Sequence, residues 1–211
     1  MLILVATNNP GKVKEYQELL AGLGLELRGL ADLSITTEVD ETGQTFEENA
    51  RIKAAAYSRM SGLLTLADDS GLEVEALGGG PGVYSARYAG QGATDADRYR
   101  KLLAVLDGVP WEKRAARFRC VIALAWPDPQ GAVSGHIETF DGQCDGVIAL
   151  EPKGTNGFGF DPVFYMPEHG CTIAELPEEK KNQISHRARA AALARKRLMA
   201  EVSGQAGATV G

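Results

Sequence analysis

The stretch Thr7-Asn8-Asn9-Pro10-Gly11-Lys12 stands between an apolar run and a helical pattern. A loop that opens a helix offers backbone amides and the positive end of the helix dipole, which suits an anion such as phosphate. Lys12 adds a mobile cation. The loop is not a Walker A motif: Ala6 stands where the first glycine belongs, and Val13 where a hydroxyl would hold magnesium. A plain strand-to-helix turn with a solvated lysine fits the same residues. Asp68-Asp69-Ser70-Gly71 follows a second apolar run, and strand ends are where sites assemble in open α/β sheets. Adjacent carboxylates on an extended chain point to opposite sides. At most one faces a given ligand, where it could hold Mg2+ or take a proton from water; the other caps or braces the loop. An Asp-rich turn is the plain alternative. Asp40 and Glu41 could reach the same metal or form a solvated surface.

Phe158-Gly159-Phe160-Asp161 places aromatic faces in a glycine-rich loop. Glycine lets a flat ring approach the backbone, and phenylalanine stacks on a nucleobase. The other reading is that one or both rings plug the core. Ser185-His186-Arg187 lies on or at the start of the last helix, with donors for base or phosphate oxygens; such a pair also occurs on ordinary helix surfaces. Gly78 to Gly82 fails as a dinucleotide loop, since Pro81 interrupts it and no G-x-G-x-x-G frame fits.

These residues need elements to position them. Leu2 to Ala6 predicts a buried strand, and Val13, Tyr16, Leu19, Leu20 and Leu23 a helix ending near Gly22 and Gly24. Thr45-Phe-Glu-Glu48 predicts a capping box, opening an Ala-rich helix that stops at Gly62. Leu63 to Ala67 predicts a buried strand terminating in the Asp-Asp-Ser-Gly cluster, and Leu72 to Ala76 a half-buried strand, followed by a glycine-rich loop to Gly92. Thr94 caps a third helix. Arg117 to Trp126 is strand-like, Ala132 to Phe140 its antiparallel neighbour, and Gly146 to Leu150 and Val163 to Tyr165 two further strands. Glu178 to Val202 is largely helical, and residues 203–211 read as a flexible tail after a single 1–202 domain. Mixed β-α units and hairpins predict an α/β fold with a mixed sheet.

Composition bounds the partners. Of 211 residues, 44% are hydrophobic and 24% charged, the balance of an ordinary globular domain. The net charge of −6 argues against bulk binding to nucleic acid or anionic membrane. Small anionic ligands stay open to it through a local nest, lysines or a metal. No window approaches the roughly 18 apolar residues of a membrane span, and the apolar N-terminus is too short for a signal peptide. Cys120, Cys144 and Cys171 form no C-x-x-C pair, so a reducing cytoplasm is the simplest home.

Taken together the motifs resemble one family, the inosine triphosphate pyrophosphatases, and within it the bacterial dITP/XTP pyrophosphatases. ATNNPGK, ETGQTFEENARIKA, LADDSGLEVEALGGGPGVYSARYAG, GTNGFGFDPVFY and AELPEEKKNQISHRARA run in the family's order from Met1 to about Ala200. The resemblance implies a Maf/Ham1-type fold: an elongated mixed sheet flanked by helices, two lobes and a central active-site cleft, in a homodimer. It implies a nucleoside triphosphate substrate, with Thr7 to Lys12 on the triphosphate. Asp69 becomes catalytic base and metal ligand, and Ser70, Phe158, Gly159, Phe160, Asp161, Lys181, His186 and Arg187 bind substrate. Where the family has a metal-binding Glu before ETG, this chain has Asp40. The resemblance leaves two options for the second ligand of Mg2+, Asp40 through water or Glu41 in its place, and Lys181 is favoured over Lys180 by its spacing to His186. The implied reaction is hydrolysis of dITP, ITP or XTP to monophosphate and pyrophosphate. The competing readings are a catalytically degenerate nucleotide sensor and a pyrophosphatase for other modified nucleotides.

Overall fold

Three consecutive apolar residues of the first strand, Ile3, Leu4 and Val5, are buried, as expected where helices cover both faces of parallel strands. The computed structural model describes residues 1–128 and 135–208. The main elements are β1 (Leu2–Val5), α1 (Pro10–Leu19), β2 (Glu26–Gly29), α2 (Phe46–Ser61), β3 (Leu64–Val74), α3 (Asp95–Val105), β4 (Ala115–Ala125), β5 (Ile137–Ile148), β6 (Phe164–Met166), β7 (Cys171–Thr172), α4 (Glu178–Ile184) and α5 (His186–Ala208). The strands form one sheet in the order β2-β1-β3-β4-β5-β6-β7. β1 pairs in parallel with β2 and β3, while β6 pairs antiparallel with β5 and β7. The sheet is therefore mixed and the fold α/β, as the patterning predicts.

The described residues fall into two compact units. One comprises Met1–Asp69, Cys120–Gly142 and the chain from Ala188; the other comprises Ser70–Arg119 and Gln143–Arg187. In the first, strand residues Ile3, Val5, Leu64, Leu66, Ile122 and Leu124 pack with Tyr16 and Leu20 of α1 and Ala190, Ala191, Ala194 and Leu198 of α5. Each large aliphatic side chain buried there contributes about 1.5–3 kcal/mol. In the second, Leu72, Val74, Phe118, Ile148 and Phe164 form the strand side of the core, joined by Leu102 and Leu106.

Several expectations shift by identifiable causes. α1 starts at Pro10, earlier than Val13, because Asn9 caps it and Pro10 fits the first helical position. β3 does not stop before Asp68 but runs on to Val74. The carboxylates that suggest a turn are each met by a lysine, so the strand carries them. Gly146 does not begin a new strand; it lies inside β5. A Cβ there would come within 2.5 Å of the Phe164 ring, so this glycine serves close packing and not a turn. The capping box at Thr45 and the stop of α2 at Gly62 form as predicted, and Gly62 is left-handed. The last helical stretch breaks at Ser185, whose backbone is extended, and restarts at His186. Residues 132–134 of the expected β4 neighbour, and 209–211 of the expected tail, lie outside the described residues. No helix among the described residues is long and apolar enough to cross a membrane.

Candidate active site

Asp69 and Ser70 are consecutive residues of β3, and each belongs to a separate cluster of polar side chains. In the first cluster, Asn9 Oδ1 accepts from the amides of Gly11 (2.9 Å) and Lys12 (3.4 Å), and the Asn9 amide donates to Thr7 Oγ1 (3.2 Å). These amides are already engaged, so an anion at the loop would share or displace Asn9. Asn8 and Pro10 are exposed. Lys12 is tethered, not mobile: its Nζ donates to Asp68 Oδ2 at 2.8 Å. Asp68 is buried, and the Cys120 thiol lies 3.7 Å from the same oxygen. The first carboxylate of the pair thus braces the loop lysine.

Asp69 faces a different set of partners, as alternation along a strand requires. Its Oδ2 accepts from Asn49 Nδ2 at 3.0 Å, and its Oδ1 lies 3.8 Å from Lys53 Nζ. Asn49 and Lys53 are four residues apart on α2 and so share one helix face. Asn49 Oδ1 in turn accepts from the Gly43 amide (2.8 Å), which directs its NH2 group at Asp69. Lys53 also donates to Glu41 Oε1 at 2.6 Å. No motif in the sequence marks Asn49 or Lys53; Glu41 is a candidate there only as a metal ligand. The usable signal was a polar pair at helical spacing inside an Ala-rich stretch. Asp40 is exposed; Glu41 is the member of the acidic pair that meets Lys53.

Burial pushes the Asp69 carboxyl above the ordinary Asp range; the Lys53 charge opposes this, and Glu41 adds to it. Burial pulls Lys53 down, but the charges of Asp69, Asp68 and Glu41 outweigh it and leave Lys53 above its usual value. Lys53→Met removes the cation that holds Asp69 down, so the Asp69 pKa rises further. If Asp69 is the base, the acid limb of the pH profile of kcat/KM moves to higher pH in this variant. An unmoved limb would assign that limb to another group.

Among the described residues, no three His, Cys, Asp or Glu side chains gather as a metal site. Magnesium does not require such a set, because it binds one or two carboxylates and takes its other ligands from phosphate and water. Asp69 and Glu41 already share one cation, the Lys53 ammonium, so the donor set suits a hard divalent ion.

The second cluster gathers Ser70, the 158–161 loop, α4 and the start of α5. Arg187 donates to Ser70 Oγ at 3.0 Å and is 2% exposed. Lys181, and not Lys180, donates to Asp161 Oδ2 at 2.9 Å, and both members of that pair are buried. The same oxygen accepts from the Phe158 amide at 3.1 Å. The two phenylalanines separate by role: Phe160 sits in the core, while Phe158 is half-buried. The Phe158 ring lies 4.7 Å from Lys181 Nζ and 5.4 Å from the Arg187 guanidinium, within cation–π range. His186 is buried, with its ring stacked on Phe118 at 4.7 Å.

Gly157 has φ +77°, and a Cβ there would come within 2.1 Å of Asp161 Oδ2. Gly157→Ala is therefore strained by backbone and by contact, and it displaces the carboxylate that holds Lys181. The expected outcome is a rise of about tenfold or more in KM for a nucleotide, the size of a lost charged hydrogen bond. An unchanged KM would separate this loop from substrate.

Comparison with known proteins places these clusters in a family context. The Ham1 family profile matches residues 3–197. A Geobacillus kaustophilus protein named dITP/XTP pyrophosphatase is 54% identical over 188 residues, covering 89% of this chain and 89% of its own. A Desulforamulus reducens protein of the same name is 53% identical over 190 residues, 90% of this chain and 92% of its own. The structure of a HAM1 protein from Coxiella burnetii superposes with a TM-score of 0.83 at 43% identity, over 94% of this chain and 98% of that one.

Proposed function

The chain belongs to the Ham1 family, and from that premise we propose that it hydrolyses the non-standard purine triphosphates dITP, ITP and XTP to monophosphate and pyrophosphate. The observation that carries this is Asp69: a buried carboxylate with a raised pKa, oriented by Asn49 and flanked by the Lys53–Glu41 pair. Asp69 takes a proton from a water molecule as the water oxygen attacks the α-phosphorus. The bond from that phosphorus to the bridging oxygen breaks, and pyrophosphate leaves with the electron pair. Lys12 and Lys53 place positive charge where the leaving phosphates gather negative charge, and Asp68 keeps Lys12 in position. Asp69, with a carboxylate of the Asp40–Glu41 pair, would hold Mg2+. Bound there, it would supply positive charge to the developing leaving group.

The second cluster suits the base. Phe158 offers a face for stacking, and His186 and Arg187 supply donors that match a 6-oxo group. Adenine presents an amino donor there and leaves them unpaired. Cysteines that form no disulfide suit a cytoplasmic setting, and a homodimer is the proposed assembly; light scattering at the monomer mass would refute the dimer. A substrate panel tests the function: ITP, dITP and XTP are turned over well, ATP and GTP poorly. Equal turnover of ITP and ATP, or of none, would refute it.

A further inference from the structure

The 158–161 loop is held both from within and from distant parts of the chain, Lys181 of α4 among them. Asp161 takes the Phe158 amide from inside. Another anchor comes from 64 residues away in sequence: Asp95 Oδ2 accepts from the Gly159 amide at 2.8 Å. Asp95 is the first residue of α3, next to the Thr94 cap. There the helix dipole favours its carboxylate, and Arg98 engages its other oxygen. Gly159 sits directly between Phe158 and Phe160 and has φ +66°. This bond therefore fixes the peptide at which one ring turns into the core and the other stays at the surface. We infer that Asp95 is a positioning residue, which pins the Gly159 amide and thereby sets the Phe158 ring against Lys181 and Arg187 for the nucleotide. The inference rests on the reading of that cluster as the base site, and it adds a residue that touches neither substrate nor metal.

Asp95→Ala removes the acceptor but leaves the Thr94–Asp97 capping box that starts α3, so the helix keeps its N-terminal cap. Asp95→Asn keeps an acceptor oxygen for Gly159. Two readouts on the full-length protein separate the possibilities: hydrogen exchange of the peptide spanning Gly159, and KM and kcat for ITP. Asp95→Ala is expected to speed exchange and to raise KM about tenfold, the scale of one charged hydrogen bond, with kcat within about twofold. Asp95→Asn is expected to restore both toward the parent values. Unchanged exchange in Asp95→Ala, or equal damage in the Asn variant, would overturn the inference. Faster exchange with unchanged KM would overturn it too. Phe158→Ala tests the underlying reading separately: an unchanged KM for ITP in that variant removes the base site, while the exchange result still decides whether Asp95 holds the loop.

Discussion

Asp69→Asn is expected to lower kcat by about 10²-fold or more, the scale of lost general-base catalysis, while making the metal-free protein more stable to heat. The two effects share one cause. The folded state holds the Asp69 pKa above its ordinary value, chiefly by burial, so the fold favours the protonated carboxyl. That contribution is complete below the unfolded-state pKa and is lost as pH rises through the folded-state value. At neutral pH the ionised carboxylate therefore costs stability, even with the attraction of Lys53 counted. Asparagine matches its size, still accepts from Asn49, and carries no charge to desolvate. The expected pattern is a higher Tm at pH 7 without metal, with the gain shrinking as pH falls. Near-normal turnover by the variant at saturating Mg2+ would remove Asp69 from the base role. A lower Tm would contradict the electrostatic account of the site.

Arg187→Ala is expected to reduce kcat/KM for ITP by about 10²-fold, while the weak turnover of ATP falls far less. Arg187 is buried, gives one N–H to Ser70 and lies over the Phe158 ring. On the proposed reading, an Arg187 donor meets the 6-oxo group of ITP and is left unpaired against adenine. Its loss therefore narrows a discrimination that sites of this kind carry up to roughly 10⁴-fold. A buried arginine also packs, so the comparison is made well below the variant's Tm, with Arg187→Lys beside it. Lysine keeps the charge but not the planar fork. Equal losses on ITP and ATP would make Arg187 a phosphate-binding or purely structural residue.

Local signals in the sequence were legible because their causes lie within a few residues. The capping box from Thr45 to Glu48 and the left-handed Gly62 bracket α2 without help from the rest of the chain. The two-sided character of Asp68 and Asp69 followed from strand geometry alone. Long-range causes were not legible. The passage of β3 through the acidic pair depends on Lys12, 56 residues away in sequence, and on Lys53. The amides of Gly11 and Lys12 look available to an anion until Asn9 is seen capping them. Nothing local distinguishes Phe158 from Phe160; the packing around Gly159 does. β2 carries no strand pattern in the sequence because Glu26–Gly29 is short, charged and half exposed, as strands at a sheet edge commonly are. Lys53 was hidden in an alanine-rich helix whose role looked purely structural.

The central claim is that water attacks the α-phosphorus with Asp69 as base, and the most direct test follows the water oxygen. ITP is hydrolysed with Mg2+ in water labelled with heavy oxygen, and both products are analysed by mass spectrometry. The account predicts label in the inosine monophosphate and none in the pyrophosphate. Label in pyrophosphate, or release of orthophosphate from intact triphosphate, would place the attack at another phosphorus and contradict it.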